Sequence, residues 1–239
     1  MTDIFPAGSG LFETLKTMEG HPFALGRHIA RAERSAKKIG IPFPSEIEIR
    51  DAVDDLLKTG EGLPEVGRLR MTFSESGEFE LLHENLHGWT SPARLTVLDR
   101  PINEMSPLSG IKSLPFTENV LCLELARSEG FDDGIRLNFK NEVCETSVAN
   151  LLLRIDREWV TPHLASGCLQ GITRELVVEW SSIEERSILV EELPQVEAIF
   201  LLSSLKNLQP VAFLGDRELE IDMKLAELAT ARILENIDP

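Results

Sequence analysis

Apolar residues recur along the chain at spacings that predict both helices and strands. Between residues 29 and 39 they recur at steps of three and four, which predicts an amphipathic helix. Ser45 followed by Glu48 forms a capping box, so a second helix is expected to begin there and to end at Gly60. Over residues 68–73 apolar and polar side chains alternate, which predicts a strand with one buried face.

Turn residues and shorter patterns predict the other elements of a mixed α/β (α+β) fold. Residues 10–25 are expected to form a hairpin around a turn at Glu19 and Gly20. A second hairpin is expected to run from Glu145 to Ile155. The remaining predicted elements are strands near 79–84, 94–98 and 134–139, and helices at about 118–129, from about 172, and at about 220–236, with a strand and a loop between the last two helices.

The segment at residues 99–107 is the expected linker between two α/β domains, because it contains two prolines and shows no periodicity. The expected limits are residues 1–98 for a smaller N-terminal domain and residues 108–239 for a larger C-terminal domain. A chain of 239 residues is long enough for two such domains, each with its own apolar core.

Charge and composition indicate which kinds of binding partner and which cellular compartment are expected for this protein. The formal net charge of −16 argues against binding to nucleic acid or to an anionic membrane surface. No apolar run has the length of a membrane span, and no signal peptide is expected in the first residues. Cys122, Cys144 and Cys168 stand in apolar contexts without metal-ligand spacing, so reduced thiols and a cytoplasmic location are expected.

Short polar segments in the second half of the chain bring a carboxylate, a turn and a helix start within about thirty residues. Glu145 and Asn150 flank a predicted turn, and Gly171, Ile172 and Thr173 open a predicted helix. A cationic ring nitrogen requires a fixed carboxylate, and a phosphate binds hydroxyls and backbone N–H groups at a helix start. This order resembles the signature of class IV aminotransferases, the fold-type IV family of pyridoxal phosphate enzymes.

Further segments match the same family in order, so the resemblance covers about residues 8–215. These segments are the opening strand at 8–15, the helix containing His28 and Arg31, the lysine at Lys112, and the loop at 200–211. The resemblance implies two domains with pyridoxal phosphate at their interface. It also implies a homodimer that acts on an amino-acid-type substrate.

The resemblance assigns roles to single residues. Lys112 would form the aldimine with pyridoxal phosphate and would move the substrate α-proton as general base and acid. Glu145 would face the pyridine nitrogen, and Leu169 would pack on the ring. Arg70 would bind a substrate carboxylate, with a structural salt bridge as an equal alternative. The phosphate would be bound by the side chains of Arg31, Thr173 and Ser204 and by the backbone N–H groups of Ile172 and Leu205.

Ordinary structural roles are the alternatives for these residues when each is considered alone. A lysine or glutamate is most often a solvated surface charge, although the apolar neighbours of Lys112 and Glu145 favour burial. Arg31 shares a polar stripe with His28 and Ser35, and this stripe is expected to face away from acidic side chains. Arginines inside helices are usually surface residues.

The resemblance implies an enzyme that transfers an amino group between an amino acid and a 2-oxoacid through a lysine aldimine. The alternative within the family is aminodeoxychorismate lyase, which eliminates pyruvate and leaves 4-aminobenzoate for folate synthesis. The loop from Ser204 to Val211 resembles the lyase. Pro115 and Phe116, however, stand where the family often has Asn-Tyr or Asn-Arg, and the chain has no tyrosine. Amino-group transfer is therefore preferred, and a cofactor-binding protein without turnover is a further alternative.

One motif points to a different class of enzyme. The run from His83 to His87 reads H-E-x-x-H, in which two histidines one helical turn apart bind zinc and the glutamate acts as a base. A zinc hydrolase is thus a remote alternative. The motif follows an alternating run at residues 79–82 and is followed at once by Gly88, so a strand that ends in a turn is expected. No metal site is predicted.

Overall fold

The computed structural model describes residues 8–59, 63–181 and 183–234, which form two compact units, each with its own sheet. No helix among these residues is long and apolar enough to span a membrane. The strands are β1 (Gly10–Met18), β2 (His21–Pro22), β3 (Val66–Ser74), β4 (Phe79–Asn85), β5 (Ala93–Ile102), β6 (Ser113–Leu114), β7 (Asp133–Asn138), β8 (Val143–Thr146), β9 (Asn150–Ile155), β10 (Glu158–Pro162), β11 (Glu184–Arg186), β12 (Ala198–Ser203), β13 (Asn207–Leu214) and β14 (Arg217–Glu218). The helices are α1 (Leu25–Ile39), α2 (Glu46–Thr59), α3 (Thr117–Ser128), α4 (Ile172–Trp180) and α5 (Met223–Leu234), with short 3-10 helices at Leu164–Ser166 and Val190–Gln195.

The first unit contains the described residues up to Gly88, the segment Ile111–Phe116 and the last two described residues, 233 and 234. Its sheet has the antiparallel order β2-β1-β3-β4, and β6 pairs with the start of β1. The alternation predicted at residues 68–73 is confirmed, because Leu69, Met71 and Phe73 are fully buried and pack with the apolar faces of α1 and α2. This buried face of the sheet is the core of the unit.

Local turn chemistry determines where the elements of the first unit begin. The predicted turn between β1 and β2 is confirmed, and both of its residues, Glu19 and Gly20, have positive φ angles (50° and 82°). The capping box of α2 is also confirmed, because the N–H of Ser45 donates to Glu48 Oε2 (2.8 Å) and the N–H of Glu48 donates to Ser45 Oγ (3.3 Å). The expected end of this helix at Gly60 lies outside the described residues.

The second unit contains Trp89–Gly110 and Thr117–Arg232. Its sheet has the order β11-β10-β9-β12-β13-β5-β7-β8, with β14 added to β13. The pairs β10/β11, β13/β5 and β5/β7 are parallel and the other pairs are antiparallel. Several central strands are buried on both faces, as in β9 and β12, and their apolar side chains make up the core.

The expected hairpin from Glu145 to Ile155 is wrong in its pairing. Both strands exist, but β8 pairs with β7, while β9 pairs with β10 and β12. A tight turn after Thr146 joins β8 to β9. The N–H of Thr146 donates to the carbonyl of Ala149 (2.8 Å) and closes this turn. A strand–turn–strand pattern predicts the two strands, but it does not determine which neighbour each strand meets.

The units do not coincide with the expected limits of 1–98 and 108–239. Strand β5 runs into the predicted linker at residues 99–107, and its pairing with β7 shifts register around Pro101, which has no N–H to donate. Because β6 pairs with β1, the segment with Lys112 belongs to the first unit. The domain limits themselves stay a prediction.

Candidate active site

Lys112 lies on an aromatic surface in the first unit. Its carbonyl accepts a hydrogen bond from the N–H of Phe12 (3.1 Å), which fixes the lysine beside β1. The Nζ atom lies 4.3 Å from the centre of the Phe12 ring and 4.9 Å from that of Phe116, and the two rings meet edge to face at 5.0 Å. The half-buried amine therefore lies among apolar rings. One of these rings belongs to Phe116, which stands where the family often has tyrosine or arginine.

Arg70 lies on the other side-chain face of its strand from the apolar core. Its Cζ atom is 4.5 Å from the centre of the Phe12 ring, and its Nε donates to Thr72 Oγ1 at 3.5 Å. The neighbouring Arg68 forms an ion pair with Glu84. Arg70 has no carboxylate partner among the residues that the structure describes, so the salt-bridge alternative has no acid to pair with there.

His28 and Arg31 lie on the buried face of α1, where both contact Glu13. Arg31 donates from Nε to Oε1 (2.8 Å) and from Nη2 to Oε2 (2.5 Å), and His28 Nδ1 lies 2.7 Å from Oε2. The expectation that this stripe faces away from acidic side chains is therefore wrong. Glu13 is in phase with Leu11 and Leu15 on β1, so it shares their buried face. That parity is the signal in the sequence that the prediction did not use.

The charges of this buried cluster stabilise one another. Burial alone would raise the pKa of Glu13, but the positive charge of Arg31 and the hydrogen bond from His28 outweigh it and lower the pKa from 4.5 to about 2. Burial is also the main influence on His28, and it lowers the pKa of the imidazole although Glu13 acts in the opposite direction. The cluster is thus a carboxylate–guanidinium pair with a histidine whose neutral form is favoured.

Glu13→Gln is expected to lower the free energy of unfolding by about 3 kcal/mol near neutral pH, because it removes the carboxylate that pairs with the buried guanidinium of Arg31. A depressed carboxyl pKa stabilises the fold above about pH 4.5 and ceases to do so as the pH falls toward 2. The difference between wild type and variant should therefore shrink between pH 7 and pH 3. Urea unfolding at both pH values measures it, with Glu33→Gln, an exposed position on α1, as the control. A loss that does not change with pH would contradict the ion pair.

Glu145 and Leu169, which the resemblance assigns to one cofactor ring, contact each other in the second unit. Glu145 Oε2 accepts from the N–H of Leu169 (3.1 Å) and from Nδ2 of Asn150 (3.2 Å). Glu145 is only half-buried, less than its apolar neighbours suggest. Asn150 was not predicted to be a site residue, although its place in the motif containing Glu145 was visible in the sequence.

The first turn of α4 has no side-chain cap. The residue before the helix, Gly171, has an extended backbone and makes no side-chain hydrogen bond to the turn. Thr173 Oγ1 is buried and has no hydrogen-bond partner among the described residues. A helix start with uncapped N–H groups beside a buried hydroxyl without a partner suits an anion. Of the groups that a cofactor presents, a phosphate fits this arrangement.

The turn between β12 and β13 carries Ser204, which is buried, and Leu205, which is half-buried. The N–H of Lys206 donates to Ser203 Oγ (3.1 Å) within this turn, and α4 packs against β12. The predicted site residues are therefore divided between the units. The first unit holds Arg31, Arg70 and Lys112, and the second holds Glu145, Leu169, Ile172, Thr173, Ser204 and Leu205.

The H-E-x-x-H motif does not lie on a helix. His83 and Glu84 belong to β4 and His87 follows the end of the strand, so the predicted strand is confirmed. His83 Nε2 lies 2.7 Å from Thr17 Oγ1 in the first unit. Within the described part of the chain, no group of three or more His, Cys, Asp or Glu side chains is placed to hold a metal ion. The zinc-hydrolase alternative therefore lacks the geometry that it requires.

Comparison with known proteins gives one consistent family. The family model described as amino-transferase class IV matches residues 10–213. A probable branched-chain-amino-acid aminotransferase of Thermotoga maritima is 30% identical over 238 residues, covering 96% of this chain and 85% of the relative. An aminodeoxychorismate lyase of Vibrio harveyi is 26% identical, covering 98% of this chain and 93% of the relative.

A solved structure extends the similarity to the fold. The fold IV-transaminase CpuTA1 from Curtobacterium pusillum matches with a TM-score of 0.83 at 28% identity, over 94% of this chain and 86% of that chain. The predicted α/β fold is thus confirmed. The chain belongs to the class IV aminotransferase family of fold-type IV pyridoxal phosphate enzymes.

Proposed function

We propose that this chain is a pyridoxal phosphate-dependent aminotransferase that moves an amino group between an amino acid and a 2-oxoacid. The observation that carries the proposal is the sharing of the Phe12 ring by the Lys112 amine and the Arg70 guanidinium. An amine among apolar rings suits covalent chemistry with a carbonyl carbon. A guanidinium without a carboxylate partner among the described residues suits the carboxylate that both substrates carry.

The proposed cofactor residues fit pyridoxal phosphate in their chemistry. Glu145, oriented by two N–H donors, would pair with the pyridine nitrogen, and Leu169 would pack on the ring. Bound pyridoxal phosphate withdraws electrons from the substrate Cα and so acidifies its proton. The phosphate would be bound by the side chains of Arg31, Thr173 and Ser204 and by the backbone N–H groups of Ile172 and Leu205. The buried Thr173 hydroxyl without a partner supports this assignment.

The residues of the first unit would carry out the proton transfers. Lys112 would hold the cofactor covalently through Nζ. The same Nζ would take the proton from the substrate Cα and later return a proton, so one group would act as base and then as acid. Arg70 would hold the substrate carboxylate, and the rings of Phe12 and Phe116 would exclude water from the amine.

Arg31→Ala is expected to weaken pyridoxal phosphate binding by about ten- to a hundredfold, because it removes one charge-assisted contact to the phosphate. Fluorescence titration with the cofactor measures the dissociation constant. Arg34→Ala, an exposed arginine on the same helix, is the matched control. Thermal unfolding is measured in parallel, because Glu13 also loses one of its two partners and keeps only His28 of the pair. Binding as tight as that of the control would remove Arg31 from the phosphate site and leave it a structural role beside Glu13.

Elimination is the second candidate reaction, and the similarity to the Vibrio harveyi aminodeoxychorismate lyase over nearly the whole of both chains supports it. Purified protein is incubated with aminodeoxychorismate and, separately, with a panel of amino acids and 2-oxoacids. New amino acids in the panel support transfer. Pyruvate and 4-aminobenzoate without new amino acids would assign the lyase reaction instead. Bound cofactor without any product would indicate a binding protein.

We also propose a cytoplasmic homodimer. Cys122, Cys144 and Cys168 are buried and form no disulfide, and burial raises the pKa of Cys144 and of Cys168 to about 12, so both thiols stay protonated and unreactive. Unpaired cysteines suit a reducing compartment. The family resemblance supports the dimer. Light scattering during size exclusion tests it and should give twice the mass of one chain.

A further inference from the structure

Asn150 connects three segments that carry proposed cofactor residues in the second unit. It is the first residue of β9 and is almost fully buried. Its Nδ2 donates to Glu145 Oε2 on β8 (3.2 Å) and to the carbonyl of Leu169 (2.8 Å). The N–H of Leu169 donates to the same carboxylate oxygen at 3.1 Å. The amide thus closes a small hydrogen-bonded ring between Glu145 and Leu169.

The third segment is the start of α4, where Gly171 lies against the oxygen of the same amide. The φ and ψ angles of Gly171 (−71° and 138°) are open to any residue, so its conformation does not require glycine. The lack of space for a side chain does require glycine, because a Cβ atom at this position would lie 1.9 Å from Asn150 Oδ1. Any side chain there would displace either the Asn150 amide or the beginning of the helix.

We propose that Asn150 is a positioning residue that holds the Glu145 carboxylate and the Leu169 segment in one arrangement. The proposal rests on the proposed function, in which these two residues bind the cofactor ring. A side-chain amide suits the task because it donates two hydrogen bonds at once, to a carboxylate and to a carbonyl, without adding charge. Aspartate has nearly the same shape but only accepts when ionised, so at this position it would repel Glu145 and lose both bonds.

A double-mutant cycle tests whether Asn150 acts through Glu145. Asn150→Asp is expected to lower kcat by about ten- to a hundredfold, the range for losing a hydrogen bond to a charged group, with KM changed by less than about threefold. In a Glu145→Gln background the same substitution should lower kcat by less than about threefold. Asn141→Asp, at an exposed turn of the same unit, is the control and should leave kcat unchanged. An equal factor in both backgrounds would overturn the proposal.

A second measurement is independent of catalysis. Hydrogen–deuterium exchange of the cofactor-loaded full chain, resolved to single amides, reports whether the N–H of Leu169 stays bonded to Glu145. Exchange at this amide should become at least about tenfold faster in Asn150→Asp, which removes the bridging amide, and in Gly171→Ala, which displaces it. Exchange at the Ile199 amide in the core strand β12 should stay unchanged.

The two measurements separate the proposal from the function on which it rests. Unchanged exchange at Leu169 in both variants would overturn the positioning role, whatever the activity. Faster exchange together with full activity in Glu145→Gln would instead remove Glu145 from the proposed chemistry, while the role of Asn150 in holding this carboxylate would stand.

Discussion

Replacing Lys112 by alanine is expected to abolish turnover while the protein stays folded. The side chain is half-buried and lies outside the apolar core of its unit, so its loss should cost little stability. Both the covalent attachment of the cofactor and the proton transfers depend on Nζ, and general acid–base catalysis alone is worth about a hundred- to ten-thousandfold. Product formation under saturating cofactor and substrate measures the loss, and circular dichroism measures the fold.

Two other lysines of the same unit are the controls for this variant. Lys58→Ala changes an exposed residue of α2 and should leave activity unchanged. Lys16, on β1, is the more demanding comparison, because burial lowers its pKa from 10.5 to about 8 and its amine is thus more readily deprotonated. If Lys16→Ala abolishes turnover and Lys112→Ala does not, the catalytic lysine has been misassigned.

Glu145→Gln is expected to retain pyridoxal phosphate but to slow turnover by about a hundred- to ten-thousandfold. An amide cannot balance the charge of a protonated pyridine nitrogen, so the cofactor loses much of its ability to withdraw electrons. Each tenfold loss in rate corresponds to about 1.4 kcal/mol of transition-state stabilisation. Cofactor binding is measured by absorbance and turnover by product formation.

Glu158→Gln is the matched control, since this residue is exposed on β10 of the same unit. Its turnover should equal that of the wild type. Activity of Glu145→Gln within about threefold of this control would place the carboxylate outside the chemistry and make its hydrogen bonds from Leu169 and Asn150 purely structural.

The sequence predicts best those features that depend on neighbours along the chain. The alternation in β3, the capping box at Ser45 and Glu48, and the strand through His83 all follow from local spacing, and the structure confirms them. The start of α4 at Ile172 is of the same kind, because glycine followed by Ile-Thr is compatible with a helix start. Backbone preferences and the alternation of side chains depend on residues close in sequence, so the sequence pattern is enough to predict these helix starts and strand faces.

The local pattern of apolar and polar residues does not predict contacts between segments that lie far apart in the sequence. The pairing of β8 with β7 depends on which buried strands pack together. Apolar strands of similar composition do not show in their sequence which other strand they will pair with. Arg31 shows the same limit for side chains. Its partner Glu13 lies on another element, and an arginine within a helix gives no local sign that it will be buried with a carboxylate.

Site residues contributed by packing were also missed. Phe116 borders the Lys112 amine only because β6 returns to pair with β1. The Phe12 ring contacts both Lys112 and Arg70 because β1 pairs with β6 and with β3 in the same sheet. Asn150 acquires its contacts when the Leu169 segment passes beside β8. The resemblance to a family supplied the order of chemical groups, and the fold supplied the side chains that orient them.

Reduction of the cofactor-loaded protein with borohydride, followed by peptide mapping, tests the central assignment most directly. The reagent makes the bond between cofactor and lysine nitrogen permanent, so mass spectrometry locates it. The structure and the family together predict a single pyridoxyl group on Lys112, in the peptide that also contains Phe116. A pyridoxyl group on Lys16 or another lysine, or none on the protein, would contradict the assignment.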